Sequence, residues 1–193
     1  IYYSVDKLHT AIATGKKVSF RYFDYNVRKE KVFRREGRRY IVSPQGLVWN
    51  NENYYLVAYD GEHGETRHYR VDKMDELAVT CLPRDKEAAE SGFDMAAYAQ
   101  KHFGMFSGQE ATVRLRCENR LVNVLLDRFG QDVMLIPDGE EHFTVTLPLV
   151  ISPQFFGWLF GLGKGVTLEG PPWAVEQFRV QLAEVSGEYG ERN

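Results

Sequence analysis

Alternation of apolar and polar residues dominates the first 82 residues of the chain. Val18, Phe20 and Tyr22 alternate with polar neighbours, and similar short segments follow between turns that contain Gly or Asn. This pattern predicts half-buried strands. The predicted strands are 17–25, 30–35, 38–42, 46–49, 54–59, 66–72 and 76–82, with Pro44 interrupting the chain after the third. Many short strands favour a small antiparallel barrel over an open sheet, since closure removes the unpaired edges.

Helical spacing mixes with strand alternation in the remainder of the chain. A strand is expected over 111–117, and apolar residues at helical spacing follow over 119–129. Two strands flank the turn Asp138-Gly139, and Ser152-Pro153 opens a further helix as N-cap and first position. A strand over 166–168 and a helix over 173–185 end the chain. The order is β-α-β-β-α-β-α, whose first six elements match the split-βαβ, ferredoxin-like pattern.

These patterns predict an α+β protein with four parts. A short helix with Ser4 as N-cap ends at Gly15, and the charged stretch 83–92, which has no apolar period, is predicted to be a linker before a helix over 93–103. The predicted parts are an N-terminal connecting helix (1–15), the barrel (16–82), a linker and helix (83–110) and the ferredoxin-like domain (111–193).

Composition indicates the charge of each half and the cellular compartment that suits the protein. The first 82 residues carry 14 Lys and Arg against 11 Asp and Glu, and the rest carry 10 against 16, so the barrel is mildly basic. Cys81 and Cys117 form no CxxC pair and are expected to be reduced, which suits the cytoplasm. No apolar run approaches the roughly 20 residues that span a bilayer. The chain begins with Ile1 rather than Met, so we expect it to be a fragment.

Motifs for catalysis are missing from the sequence. The five histidines show neither HxxxH nor HExxH spacing, so neither a metal site nor a cofactor is expected. The run Gly161-Leu162-Gly163-Lys164-Gly165 lacks the spacing of a phosphate loop and follows a predicted helix rather than a strand. The sequence therefore predicts a protein that is not an enzyme and has no catalytic residues.

The strongest candidate for binding is the predicted hairpin 53–60 and 67–74. Strand alternation places Tyr55 on one face of the first strand, and His68 and Arg70 on one face of the second, away from Tyr69 and Val71 in the core. Arginine beside aromatic rings suits an anionic, ring-bearing ligand such as a nucleotide or single-stranded nucleic acid. The alternative is an Arg70 that pairs with Asp72 or Asp75 on a solvated strand, and a Tyr55 that only packs in the core.

Two further groups of residues also allow a binding role. Ser43 and Gln45 flank Pro44, where they either donate to a phosphate or satisfy a turn. Four arginines surround the turn Glu36-Gly37, where they either track a nucleic-acid backbone or form a solvated hairpin tip. These four are Arg34, Arg35, Arg38 and Arg39.

Three blocks in order resemble the signature of bacterial WYL-domain transcriptional regulators. The blocks are Val42-Ser43-Pro44-Gln45-Gly46-Leu47-Val48, then Tyr54-Tyr55-Leu56, then the segment from Arg67 to Met74. Tyr54 stands where the family usually has Trp, and Lys73-Met74 replaces the usual Arg-Ile, which removes a bidentate guanidinium. The second half resembles the WCX extension that often follows a WYL domain.

This resemblance implies an Sm-like, SH3-type barrel over residues 16–82 that senses a ligand within a transcription factor. Nucleotides or single-stranded nucleic acids are common effectors of the family. The resemblance adds Lys73 to the expected ligand-binding set of Tyr55, His68, Arg70, Ser43 and Gln45. It also implies a helix-turn-helix ahead of residue 1 that reads operator DNA.

Such regulators commonly read two half-sites, so we expect a homodimer in which the second domain contacts its twin or the partner's first domain. The aromatic block Phe155, Phe156, Trp158 and Phe160 is expected to form mainly domain core, and a dimer surface is the second interpretation. The alternative function is a barrel that binds RNA or single-stranded DNA directly, without operator binding.

Overall fold

The computed structural model describes residues 2–90 and 93–190, which fall into two compact units, Ile1–Ala96 and Ala97–Asn193. The predicted domain ranges also include residue 1, residues 91–92 and residues 191–193, which lie outside the described residues. Helices and antiparallel sheets occur in both units, so the predicted α+β class is confirmed. Among the described residues, no helix is both long and apolar enough to cross a membrane.

The first unit consists of one helix, six strands and a second short helix. Helix α1 spans Tyr2–Thr14, and Gly15 follows it in a left-handed conformation with φ 61°. The strands are β1 (Lys16–Tyr25), β2 (Lys31–Phe33), β3 (Tyr40–Asn50), β4 (Asn53–Asp60), β5 (Glu65–Arg70) and β6 (Met74–Pro83). Helix α2 (Lys86–Glu90) follows, and α3 (Met95–Lys101) runs across the division between the units.

Strand β1 is the centre of a curled antiparallel sheet. It pairs with β2, β3 and β6, and β4 and β5 extend the sheet beyond β3. A single turn of 3₁₀-helix, Val71–Lys73, joins β5 to β6. The concave face is filled by side chains that alternate along the strands with those of the opposite face. Its buried residues include Phe20, Tyr22, Tyr40, Leu56, Ala58, Tyr69 and Val71.

Pro44 does not interrupt the chain as predicted, because β3 runs through it from Tyr40 to Asn50. Pro44 pairs with Ala58, and the register against β4 shifts before Gly46. Proline has no N–H for the ladder, so a bulge accommodates it within a strand. A side chain on Gly46 would collide with the side chain of Met95, which explains a glycine after the bulge.

The segment 83–92, predicted as a linker, contains the short helix α2. Ala88 on this helix is buried. Asp85, directly before the helix, contacts Lys17 of β1 and Ser43 of β3. A five-residue helix carries too few residues for an apolar period to appear. Contacts between residues far apart in the sequence hold this segment, which local composition could not indicate.

The described part of the second unit is a four-stranded antiparallel sheet with three helices, in addition to the end of α3. Its elements are β7 (Gln109–Glu118), α4 (Val122–Phe129), β8 (Leu135–Asp138), β9 (His142–Ile151), α5 (Pro153–Gly161), β10 (Val166–Gly170) and α6 (Pro172–Glu188). The strand order is β10-β7-β9-β8. The predicted cap of α5 is present, since the N–H of Phe155 donates to Ser152 Oγ at 3.2 Å. Phe155 and Phe156 are buried in the core, whereas Phe160 is exposed.

Candidate ligand-binding surfaces of the first unit

The side of strands β4 and β5 opposite the core residues Leu56 and Tyr69, which we call the outer face, brings together three of the six predicted ligand-binding residues: Tyr55, His68 and Arg70. Tyr55 pairs with Arg70 across β4 and β5, and Val57 pairs with His68 in the same register. The rings of Tyr55 and His68 lie 6.2 Å apart at 70°. Only 8% of Tyr55 is exposed, so little of its ring is available to a ligand. This burial favours the packing role that the sequence also allowed.

Arg70 lies on the outer face with 35% of its side chain exposed. Its Nε and Nη2 donate to the two carboxylate oxygens of Asp72 at 3.0 and 2.8 Å, and Nη2 also donates to Asn53 Oδ1 at 2.8 Å. These hydrogen bonds from Arg70 are the main reason that the pKa of Asp72 is lowered. A guanidinium held by two parallel bonds to a carboxylate has the geometry with which arginine also binds phosphate.

The side chains of Ser43 and Gln45 form hydrogen bonds with other residues of the first unit. Ser43 is fully buried; its Oγ donates to Asp85 Oδ2 at 3.0 Å and accepts the N–H of Asp85 at 2.9 Å. Lys17 Nζ lies 2.6 Å from Asp85 Oδ1, so this group anchors the start of α2. Gln45 Oε1 accepts a hydrogen bond from Thr66 Oγ1 at 3.1 Å. Both side chains therefore act as structural links in this conformation.

Lys73 lies in a different cluster, which we call the barrel-end cluster and define as Asp24, Arg34 and Lys73. Lys73 Nζ lies 2.7 Å from Asp24 Oδ1, and Arg34 Nε lies 2.6 Å from Asp24 Oδ2. The hydrogen bond from Arg34 and then that from Lys73 hold the pKa of Asp24 below its usual value. Two cations therefore share one carboxylate at this end of the sheet.

Tyrosine rings lie directly under the arginines of the barrel end. The guanidinium carbon of Arg34 is 5.1 Å from the ring centre of Tyr22, and that of Arg35 is 4.3 Å from the ring centre of Tyr40. Both tyrosines contact Tyr69, with ring centroids 5.7 Å apart in each pair. Burial raises the pKa of Tyr22 to about 12, and its Oη accepts the backbone N–H of Arg70 at 3.0 Å. Sequence reasoning missed this arrangement, although the alternation of Phe20 and Tyr22 indicated an aromatic core.

The four arginines at positions 34, 35, 38 and 39 do not form one continuous basic row. Arg34 binds Asp24, while Arg35 Nη1 lies 2.6 Å from Glu62 Oε2. Arg39 Nε donates to Ser19 Oγ at 2.6 Å, and its Nη1 contacts Glu76 at 2.9 Å. Arg38 Nε donates only to the carbonyl of Arg35, at 3.4 Å, among the contacts described for it. The side chains therefore diverge to separate acidic partners, with Arg34 and Arg35 nearest the tyrosines.

Among the described residues, one group of side chains consists of residue types that bind metal ions. Ligand atoms of Asp60, Glu62 and His63 lie within 4.8 Å of one another at the β4–β5 turn. His63 Nδ1 lies 2.9 Å from Asp60 Oδ2, and Glu62 is paired with Arg35. A divalent cation here would have to replace the Arg35 contact, so the sequence-based expectation of no metal site stays a prediction.

Comparison with known proteins identifies both units. The model of the WYL domain matches residues 4–79, and the model of the WCX domain matches residues 108–186. No sequence among the curated proteins matches the chain.

Two solved structures are similar to the chain. A CRISPR Cas-related protein is 16% identical with a TM-score of 0.55, over 97% of this chain and 52% of that one. Proteasome accessory factor B/C (PafBC) of Arthrobacter aurescens is 17% identical with a TM-score of 0.41, over 98% of this chain and 27% of that one. The chain thus spans about a quarter to a half of the length of these proteins. The resemblance noted in the sequence is confirmed by the two domain models: the chain belongs to the proteins that carry a WYL domain followed by a WCX domain.

Proposed function

We propose that this chain is the effector-sensing and oligomerising portion of a bacterial, cytoplasmic DNA-binding transcriptional regulator. The effector is a nucleotide or a short single-stranded nucleic acid bound by the first unit, an Sm-like barrel, and the second unit is ferredoxin-like. Operator DNA is read by a helix-turn-helix of the same regulator. The pairing of a WYL with a WCX domain supports this role.

The observation that most directly supports the proposal is the pair of hydrogen bonds between Arg70 and Asp72. Asp72 accepts hydrogen bonds from both donors of one edge of the guanidinium, Nη2 at 2.8 Å and Nε at 3.0 Å, beside the cross-strand partner Tyr55. A phosphate has the same charge sign and a similar spacing of oxygens, so it can replace the carboxylate on the guanidinium. The cluster of Arg34 and Lys73 adds positive potential at the barrel end, which attracts anions over a longer range.

The same geometry supports binding rather than catalysis. A general base works best with a pKa near the operating pH. Asp24 and Asp72, the carboxylates beside the candidate cations, instead have lowered pKa values because arginines bind them. These groups remain charged near neutral pH and act as counter-ions, so we propose a non-enzymatic protein.

The test compares Arg70→Ala with Arg116→Ala by calorimetric titration of cyclic nucleotides and short oligonucleotides. Arg116 is a matched control, because it also binds a single aspartate, and 38% of its side chain is exposed against 35% for Arg70. Losing the charged contact in Arg70→Ala should cost about 1.5–3 kcal/mol of binding, whereas Arg116→Ala should bind like wild type. Affinity should also fall as salt is raised.

Equal affinity of wild type and Arg70→Ala would overturn the assignment of Arg70. Binding of long RNA or DNA strands without any response to mononucleotides would favour the alternative, a barrel that binds single strands as its output. Arg34→Ala would then have the larger effect, since Arg34 lies over Tyr22 at the barrel end.

The proposed homodimer rests on the apolar surface of the second unit. Exposed side chains of α5 and α6 form an apolar strip, and contiguous strips of this kind mark protein interaction sites. The strip contains Phe160, Leu182, Val185 and Tyr189. Light scattering at micromolar concentration should give twice the chain mass, and Phe160→Glu should give the monomer. Gln154→Glu, an exposed change on the same helix, is the control, and a monomeric wild type would contradict a dimer formed by these residues.

A further inference from the structure

The end of the β3–β4 hairpin carries a pocket with an aromatic lining. Its volume is about 340 Å³, and its apolar walls are Tyr2 of α1, Trp49, Tyr54 and Val71. Trp49 and Tyr54 are cross-strand partners whose ring centroids lie 4.7 Å apart at 65°. Trp49 is 60% and Tyr54 is 37% exposed, so both rings present surface to solvent. Exposed aromatic rings beside a cation are typical of sites that stack nucleic-acid bases.

The turn of this hairpin places a carboxylate at the pocket. Asn51 and Glu52 both adopt left-handed conformations, with φ 45° and 61°, and Glu52 lines the pocket. A two-residue turn of this kind favours Asn-Gly, and a glutamate in it is held in a conformation that costs free energy. Strained residues of this sort cluster at functional sites, and here the strained residue lines the same pocket as the two aromatic rings.

The remaining polar walls connect the pocket to Arg70. Asn53 and Asp72 line the pocket, and both accept hydrogen bonds from the guanidinium of Arg70. A ligand that replaces Asp72 on Arg70 therefore lies at the rim of the pocket. The two carboxylates in the pocket disfavour a phosphate inside it, so the phosphate belongs on Arg70 and the base belongs against the exposed surface of Trp49 and Tyr54.

We propose that this pocket is the base-binding subsite of the effector and selects bases that carry an exocyclic amino group. The base stacks on Trp49 and Tyr54, and its amino group donates to the carboxylate of Glu52. Guanine, adenine and cytosine offer such a donor, whereas the N3–H of uracil is flanked by two carbonyl oxygens that repel a carboxylate. This subsite rests on the proposed function, since it uses Arg70 as the phosphate contact.

The experiment titrates GMP, AMP, CMP and UMP against wild type and variants, with calorimetry and tryptophan fluorescence as readouts. Wild type should bind the three amino-bearing nucleotides more tightly than UMP, with quenching of Trp49. Trp49→Ala should weaken all four by roughly 5- to 150-fold, the range of lost stacking on one aromatic ring. Glu52→Gln should weaken GMP, AMP and CMP and spare UMP.

Glu36→Gln is the matched control, because Glu36 is also an exposed glutamate in a left-handed turn, with φ 55°. It should bind all four nucleotides like wild type, and unchanged thermal midpoints should show that every variant is folded. Weakening by Arg70→Ala without weakening by Trp49→Ala would overturn the subsite and leave the proposed function intact. Equal effects of Glu52→Gln on the four nucleotides would overturn base selection, and no effect of any variant would overturn both proposals.

Discussion

The outer face and the barrel-end cluster use the same residue types with different charge balance. On the outer face, one guanidinium, Arg70, is matched by one carboxylate and one amide. At the barrel end, Arg34 and Lys73 share the single carboxylate of Asp24. A matched pair must open before it can bind an anion, whereas an excess of cations attracts anions without rearrangement. The comparison indicates that Arg70 contributes to specificity and the barrel end contributes to the rate of encounter.

The largest effect is expected where the two regions meet, at Tyr22. Its hydroxyl accepts the backbone N–H of Arg70 at 3.0 Å, and its ring lies under Arg34. Tyr22→Phe leaves that N–H without its partner and should lower the free energy of unfolding by about 1–3 kcal/mol. Urea unfolding measures the change. Tyr25→Phe, at an exposed ring on the same strand, should leave the free energy of unfolding unchanged. Equal changes in the two variants would show that Tyr22 does not link the outer face to the barrel-end cluster.

The next effect concerns the counter-ion of Arg70. Asp72→Asn keeps the shape of the side chain but removes the charge that occupies the guanidinium. Nucleotide binding should tighten by about 1 kcal/mol, roughly fivefold, because a weaker neutral contact is displaced. Asp138→Asn, which affects the matched pair with Arg116, should leave affinity unchanged. Weaker binding in Asp72→Asn would show that Asp72 positions Arg70 and is not exchanged for the ligand.

A smaller effect is expected in the pH dependence of stability. The folded pKa of Asp24 is lowered by Arg34 and Lys73, so its charge stabilises the fold above the ordinary aspartate value of about 4. That stabilisation is lost as the pH falls through the lowered folded pKa. Asp24→Asn should therefore lower the free energy of unfolding by less than about 1 kcal/mol at pH 7, since Asp24 is partly exposed. This difference from wild type should shrink at pH 3. A difference that grows on acidification would contradict the assigned pair.

The smallest effect is expected for Arg38→Ala. Its described side-chain contact is a 3.4 Å hydrogen bond within its own turn. Stability should change by less than about 0.5 kcal/mol, and nucleotide affinity should stay at the wild-type value. Arg34→Ala in parallel should slow association in stopped-flow measurements. A larger effect of Arg38 than of Arg34 would place the barrel-end anion surface elsewhere.

Local patterns in the sequence predicted the strands and the faces on which their side chains lie. Period-two alternation placed Tyr69 and Val71 in the core and Arg70 away from it, and both the tyrosine and the valine are buried there. The helix cap at Ser152 was likewise a local feature with a known partner three residues away. These predictions succeeded because neighbouring residues determine them.

The partners of the site residues depend on contacts across the sheet and were not predictable in the same way. Ser43 bonds to Asp85, and Lys73 bonds to Asp24, in pairs separated by 42 and 49 residues. Alternation gives the face of a residue but not the neighbour that it meets there. The pocket at Trp49 also depends on how α1 lies against the hairpin end.

The central place of β1 in the sheet has a consequence for synthesis of the chain. One edge of β1 is completed by β6, which begins only at Met74, after every other strand of the first unit has been made. Until then a nascent chain exposes an unpaired strand edge, which is prone to pair with other chains. Pairing between segments so distant in sequence is also slow to form. Truncated products that end before Met74 should therefore aggregate or be degraded, and those that extend past Pro83 should become resistant to protease.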